Sequence, residues 1–180
     1  MAVLVEAISV LIKRDVIETR YPGGWEGFVA TAPNSTLCAD TQLARVGFMV
    51  PADVEQFVAV LARSGIVYVN NGRAEDICVV DQTAGCMVPC DWLEVGQVDP
   101  EGTSTDRVTV ARAIGSTENG FAAPDGWAFD GSLSQTFAFV PSGDESQSLR
   151  FLRHERGLDV YLHLVTGHEV YVGRTARTDA

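Results

Sequence analysis

The stretch LARVGFMVPADVEQFVAVLARSGIVYV, Leu43 to Val69, decides the fold class. Leu43–Met49 reads as a strand. Pro51 suits a first helical turn, where its missing N–H leaves no bond unmade. Asp53 and Glu55 sit near the positive end of the helix dipole and Arg63 near the negative end. Val54, Phe57, Val58 and Leu61 fall at i, i+3, i+4 and i+7, which makes one apolar face. Gly65 is a suitable residue just past the end. The spacing predicts a helix over 51–64. Ile66–Val69 then reads as a returning strand, so that 43–69 is strand–helix–strand.

Strand and turn signals extend outward from this unit. Val3–Ile12 is rich in Val, Ile and Leu without clean alternation, which leaves strand and helix both open. A strand over Ala7–Lys13 is favoured, because Ile8, Val10 and Ile12 share a face. Arg14–Tyr21 reads as a helical turn or an excursion. Pro22-Gly23-Gly24 is a turn, and Trp25–Ala30 a short helix. Strands are expected at 37–39, 77–80, 92–95, 108–113 and 135–140. Asn70-Asn71-Gly72 is the clearest hairpin turn. Residues 99–106 and 141–147 read as polar loops, 115–131 as an irregular Gly-rich excursion and 175–180 as a frayed tail. A C-terminal hairpin is expected over 159–173, with Val160 and Leu162 on one face. The sum is a single α+β domain over 1–180, with a mixed, mostly antiparallel sheet.

The 180 residues carry 13 Lys+Arg against 24 Asp+Glu, a net charge of −11. That balance argues against a general nucleic-acid binder, which needs a surplus of Lys and Arg. It argues equally against an anionic membrane surface. Between Glu75 and Glu145 there are 13 acids and two bases, Arg107 and Arg112. The other residues hold 11 of each, so the whole surplus falls in that region. Acidic surfaces keep proteins soluble; the same placement also offers a face for a basic protein partner. Lys13 is the single lysine, a usage that fits a GC-rich bacterial genome. The start lacks a basic segment ahead of its apolar run, and Glu6 interrupts that run early. A cytoplasmic protein with reduced thiols is therefore expected.

Motifs for chemistry are sparse. Cys86-x3-Cys90 comes closest to a metal pattern, but it lacks a second pair at zinc-type spacing. Structural thiols are the simpler reading, because free cysteine is among the most buried residue types. His154-Glu155 and His168-Glu169 lack the second histidine of HExxH, since Leu158 and Val172 occupy its place. There is no GxSxG elbow and no phosphate-binding glycine loop. No cofactor and no metal are implied.

Asp91, Trp92 and Glu94 set two acids beside a tryptophan, and Trp127 lies in the Gly-rich stretch. Tryptophan is a frequent binding anchor when exposed. These four are the candidate partner contacts of a non-enzymatic, immunity-like binding protein. The alternative is a small hydrolase or metal-binding protein using Cys86, Cys90 and a histidine. A third reading is a homo-oligomer in which the apolar run Val3–Ile12 pairs across a two-fold axis.

The segments Arg20-Tyr21-Pro22-Gly23-Gly24-Trp25, Leu43-Ala44-Arg45-Val46-Gly47-Phe48-Met49 and Cys90-Asp91-Trp92-Leu93-Glu94 resemble those of a small bacterial family of uncharacterised proteins. The resemblance covers residues 1–95. It implies no activity and assigns no functional residue.

Overall fold

The computed structural model describes residues 1–100, 107–136, 149–155, 158–163 and 169–173. Two strands come first, β1 (Ala2–Leu4) and β2 (Ile8–Lys13), followed by helices α1 (Arg14–Arg20) and α2 (Gly24–Ala30). Next are β3 (Cys38–Ala39), β4 (Leu43–Phe48) and helix α3 (Pro51–Arg63). Short strands β5 (Val69–Asn70) and β6 (Arg73–Ala74) precede β7 (Ile77–Asp81) and β8 (Gly85–Cys86). Then follow β9 (Leu93–Val98), β10 (Val108–Ala113), β11 (Phe121–Ala122) and α4 (Leu133–Thr136). Strands β12 (Leu149–Glu155), β13 (Leu158–His163) and β14 (Glu169–Gly173) end the described chain.

The fold is α+β and layered. A five-stranded sheet, β3-β4-β2-β7-β8, lies in the middle. Helices α1 to α3 cover one face, where Val10, Val46 and Val79 meet Ile17, Phe28, Phe57 and Leu61. A four-stranded sheet, β11-β1-β10-β9, covers the other. There Leu11, Leu43, Cys78 and Val80 meet Val3, Val108 and Val110. All ladders among the described residues are antiparallel except that of β1 with β11.

This layering explains the missing alternation. In β2, Ile8, Val10 and Ile12 face the helices, while Leu11 faces the second sheet. A strand buried on both faces reads as a continuous apolar run. The run Val3–Ile12 is in fact two strands in two different sheets. They are separated at Ala7, whose φ of 48° is left-handed. An L-residue there is strained, and the chain changes direction between the sheets. Both strands are buried and have neighbours on either side. The run is therefore spent inside the protein, and the expected pairing across a two-fold axis has no free strand there to use.

Helix α3 follows its prediction closely: Val54, Phe57 and Leu61 are buried, and Gly65 has a φ of 75°. The returning strand does not join the central sheet. Val69–Asn70 pairs with Arg73–Ala74 alone, through Asn71 and Gly72, both at positive φ. A two-residue turn of this kind matches the natural twist of a hairpin and closes it locally. The expected strand at 135–140 is also corrected, since Gln135 lies in α4; residues 137–140 lie outside the described residues. So do 101–106, 141–147 and 175–180, on which the loop and tail expectations fell. The C-terminal hairpin is present, with Val160 opposite Tyr171. No helix among the described residues is long and apolar enough to cross a membrane.

Candidate functional site

Where the chain passes between the two sheets, a cleft of about 480 Å³ opens. Glu6 and Ala7 come from the β1–β2 junction, Arg45 and Gly47 from β4, and Trp127 from the Gly-rich excursion. Arg45 forms its floor and is 2% exposed. Its Nε donates to Ser9 Oγ at 2.9 Å, Nη1 to the Thr36 carbonyl at 3.2 Å and Nη2 to the Glu6 carbonyl at 2.8 Å. Burial pulls its pKa below the ordinary guanidinium value, while attraction to Cys38 and Glu6 acts the other way. Gly47 makes room for it. A Cβ there would collide with Nη2 and stand 2.7 Å from Cζ.

The Glu6 carboxylate faces the excursion. Its Oε1 accepts from Trp127 Nε1 at 3.1 Å, Ser134 N at 2.9 Å and Ser134 Oγ at 2.7 Å. One carboxylate thus holds Trp127 and the start of α4. On the opposite wall, Asn34 Nδ2 donates to the Gly47 carbonyl at 2.9 Å, and the Thr36 hydroxyl accepts from Gly47 N–H at 2.7 Å. Asp53 and Asp125 are exposed at the rim. Glu6, Asp53 and Asp125 against Arg45 give the cleft three acids to one base.

The four anticipated contacts lie in three places. Trp127 belongs to this cleft. Asp91 and Trp92 line a second one, of about 520 Å³, with Lys13 and Ile114. There Trp92 Nε1 donates to the Ala74 carbonyl at 3.1 Å, and Lys13 Nζ stands 4.9 Å from the ring centroid. Asp91 pairs with Arg73 at 3.4 Å. Glu94 pairs with Arg112 at 2.8 Å and lines a third cleft.

The acids of 75–145 likewise do different jobs. Asp76 is buried and accepts from Arg20 at 2.7 Å and Val67 N at 2.9 Å. Asp81 is buried and caps the turn through Thr83 N and Ala84 N. Asp125 and Asp130 stay exposed near Trp127. Glu101, Asp106, Asp144 and Glu145 lie outside the described residues.

The cysteines divide too. Cys38 is buried beside Arg45, and burial raises its pKa. Cys78, Cys86 and Cys90 gather further along the same face of the central sheet, the one that meets the second sheet. Among the described residues, no group of three His, Cys, Asp or Glu side chains is placed to hold a metal ion. The histidine side chains of the hydrolase alternative lie outside the described residues.

Reading residue types missed Glu6, Arg45, Asn34 and Thr36. A signal for two of them exists: Glu6 and Arg45 are charges set inside apolar runs, where a buried role is the default. Comparison with known proteins finds no family model, no curated protein and no solved structure that matches this chain.

Proposed function

We propose that the protein is a binding module for a basic protein partner, and that the Trp127 cleft receives a Lys or Arg side chain of that partner. The observation that supports this reading is the cleft itself. Its three acids outnumber the one base, and that base is already tied to three protein oxygens. An indole stands in its wall, and a cation over an aromatic face gains roughly 0.5–2 kcal/mol. Glu6 fixes the indole nitrogen, so the ring is oriented before binding. Such preorganisation lowers the entropy lost on association. The exposed Asp125 and Asp130 on the same excursion would steer a basic partner toward it.

The test is a fluorescence titration with a short Lys/Arg-rich peptide and a counterpart carrying Glu at each basic position. The basic peptide should bind saturably, and about tenfold more weakly as salt rises from low to physiological strength. The double variant Asp53→Asn/Asp125→Asn should weaken it roughly fivefold, since exposed charges contribute up to about 1 kcal/mol together. Equal binding of the acidic counterpart, or no change in the double variant, would discard the reading.

A further inference from the structure

Three of the four cysteines converge through strand register. Cys86 pairs with Val80 across β8 and β7. Met87 N then donates to the Val79 carbonyl at 2.9 Å, and Ala74 N donates to the Pro89 carbonyl at 2.9 Å. Residues 86–89 therefore run back past β7 toward β6. Cys78 and Val80 lie two apart on β7 and share the core that meets the second sheet, so Cys86, opposite Val80, stands diagonal to Cys78, while Cys90 packs half-buried against the same core. The Cys78 thiol is near enough to both for each of them to raise its pKa. Cys78 is wholly buried and Cys86 is exposed. The three thus form a graded path from solvent to core, and the trio is not arranged to hold a metal ion.

We propose that Cys78, Cys86 and Cys90 form a peroxide-oxidisable thiol site in which the buried Cys78 closes a disulfide with a flanking cysteine. Cys86 is the entry point. Its sulfur attacks one oxygen of a hydroperoxide, the O–O bond breaks, and water or alcohol leaves. Cys86 is then a sulfenic acid. The Cys78 sulfur attacks the Cys86 sulfur, the S–O bond breaks, and the oxygen departs as water with the Cys78 proton. Each disulfide consumes one peroxide and releases two hydrogens from the protein. A second exchange, Cys90 attacking Cys78, can move the bond and regenerate the Cys86 thiol. Burial raises the Cys86 thiol above its ordinary value, so the first step should quicken as pH rises. This site is independent of the Trp127 cleft.

The experiment treats the full chain with hydrogen peroxide and follows intact mass, thiol titration under denaturing conditions and peptide mapping. The expected result is loss of two hydrogen masses, a fall from four titratable thiols to two, and a crosslink that includes Cys78. A thiol reductant should reverse it. Cys86→Ser should slow closure at least tenfold while leaving a Cys78–Cys90 link as the only product. Cys78→Ser should abolish the link and let Cys86 overoxidise. If Cys78→Ser does not fold, the mapped partner in the wild type and the Cys86→Ser product still decide. A Cys86–Cys90 link, a link through Cys38, overoxidation without mass loss, or stoichiometric zinc or copper protecting the thiols would each overturn the proposal.

Discussion

Arg45 ties three segments that share no strand pairing with one another at that point: Ser9 in β2, Thr36 in the approach to β3, and Glu6 at the sheet junction. Replacing it by Met keeps the bulk and removes every donor. A buried carbonyl, a half-buried one and a buried hydroxyl then lose a charged partner. Each such loss costs about 1–3 kcal/mol. Arg45→Met should lower the unfolding free energy in urea by at least about 3 kcal/mol. Gly47→Ala acts on the same group from the other side, because its Cβ must displace the guanidinium. A loss of about 1–3 kcal/mol is expected from such overpacking. The combined variant should lose less than the sum, because Met has no guanidinium to displace. Full additivity would show that the two residues do not act on one contact.

At the scale of elements, α3 and the β1–β2 junction make opposite demands. The helix was legible because its apolar spacing, end charges and terminal glycine all depend on neighbours within a few residues. Phe57 is 7% exposed and packs against Phe28 and Phe48, with ring centroids at 6.3 and 5.3 Å. Phe57→Ala should cost about 3–5 kcal/mol. Val60 is 42% exposed on the same helix, and Val60→Ala should change stability by less than about 0.5 kcal/mol. The junction was illegible, since nothing local marks Ala7 as a break. Its positive φ predicts that Ala7→Gly is neutral or stabilising by up to about 1 kcal/mol, and that Ala7→Val is destabilising. Thermal unfolding of the two variants checks the sign. A destabilising Ala7→Gly would contradict the left-handed backbone.

For the whole molecule, the buried thiols set the alkaline limit of stability. Cys38 and Cys78 both have pKa values raised above the ordinary 9.0, chiefly by burial. Above pH 9 the unfolded chain releases these protons and the folded chain keeps them. The folded state then binds more protons, so stability falls as pH rises. Their contribution is complete below pH 9 and is lost progressively above it. Each of these two thiols steepens the slope by up to about 1.4 kcal/mol per pH unit, and the more exposed Cys86, raised as well, adds a smaller part. Urea unfolding between pH 8 and 10.5 should show the decline, and Cys38→Ala should lower the slope by up to about 1.4 kcal/mol per pH unit. A flat profile would mean that the thiols are not buried as described.

The sequence by itself determined the α+β class, the helix at Pro51–Arg63, the Asn71-Gly72 turn and the C-terminal hairpin, since each rests on short-range periodicity or on backbone freedom at one or two residues. It also located the charge surplus, though not its use. Only the tertiary structure decided that one apolar run serves two sheets, because a residue buried on either of two faces looks the same in a one-dimensional pattern. It alone divided Asp91, Trp92, Glu94 and Trp127 among three clefts. It alone brought Glu6, Arg45 and Trp127 together, from positions as far as 121 residues apart. Those contacts arise from sheet stacking, and no local signal in the chain encodes which side chains a stacked sheet will bring face to face.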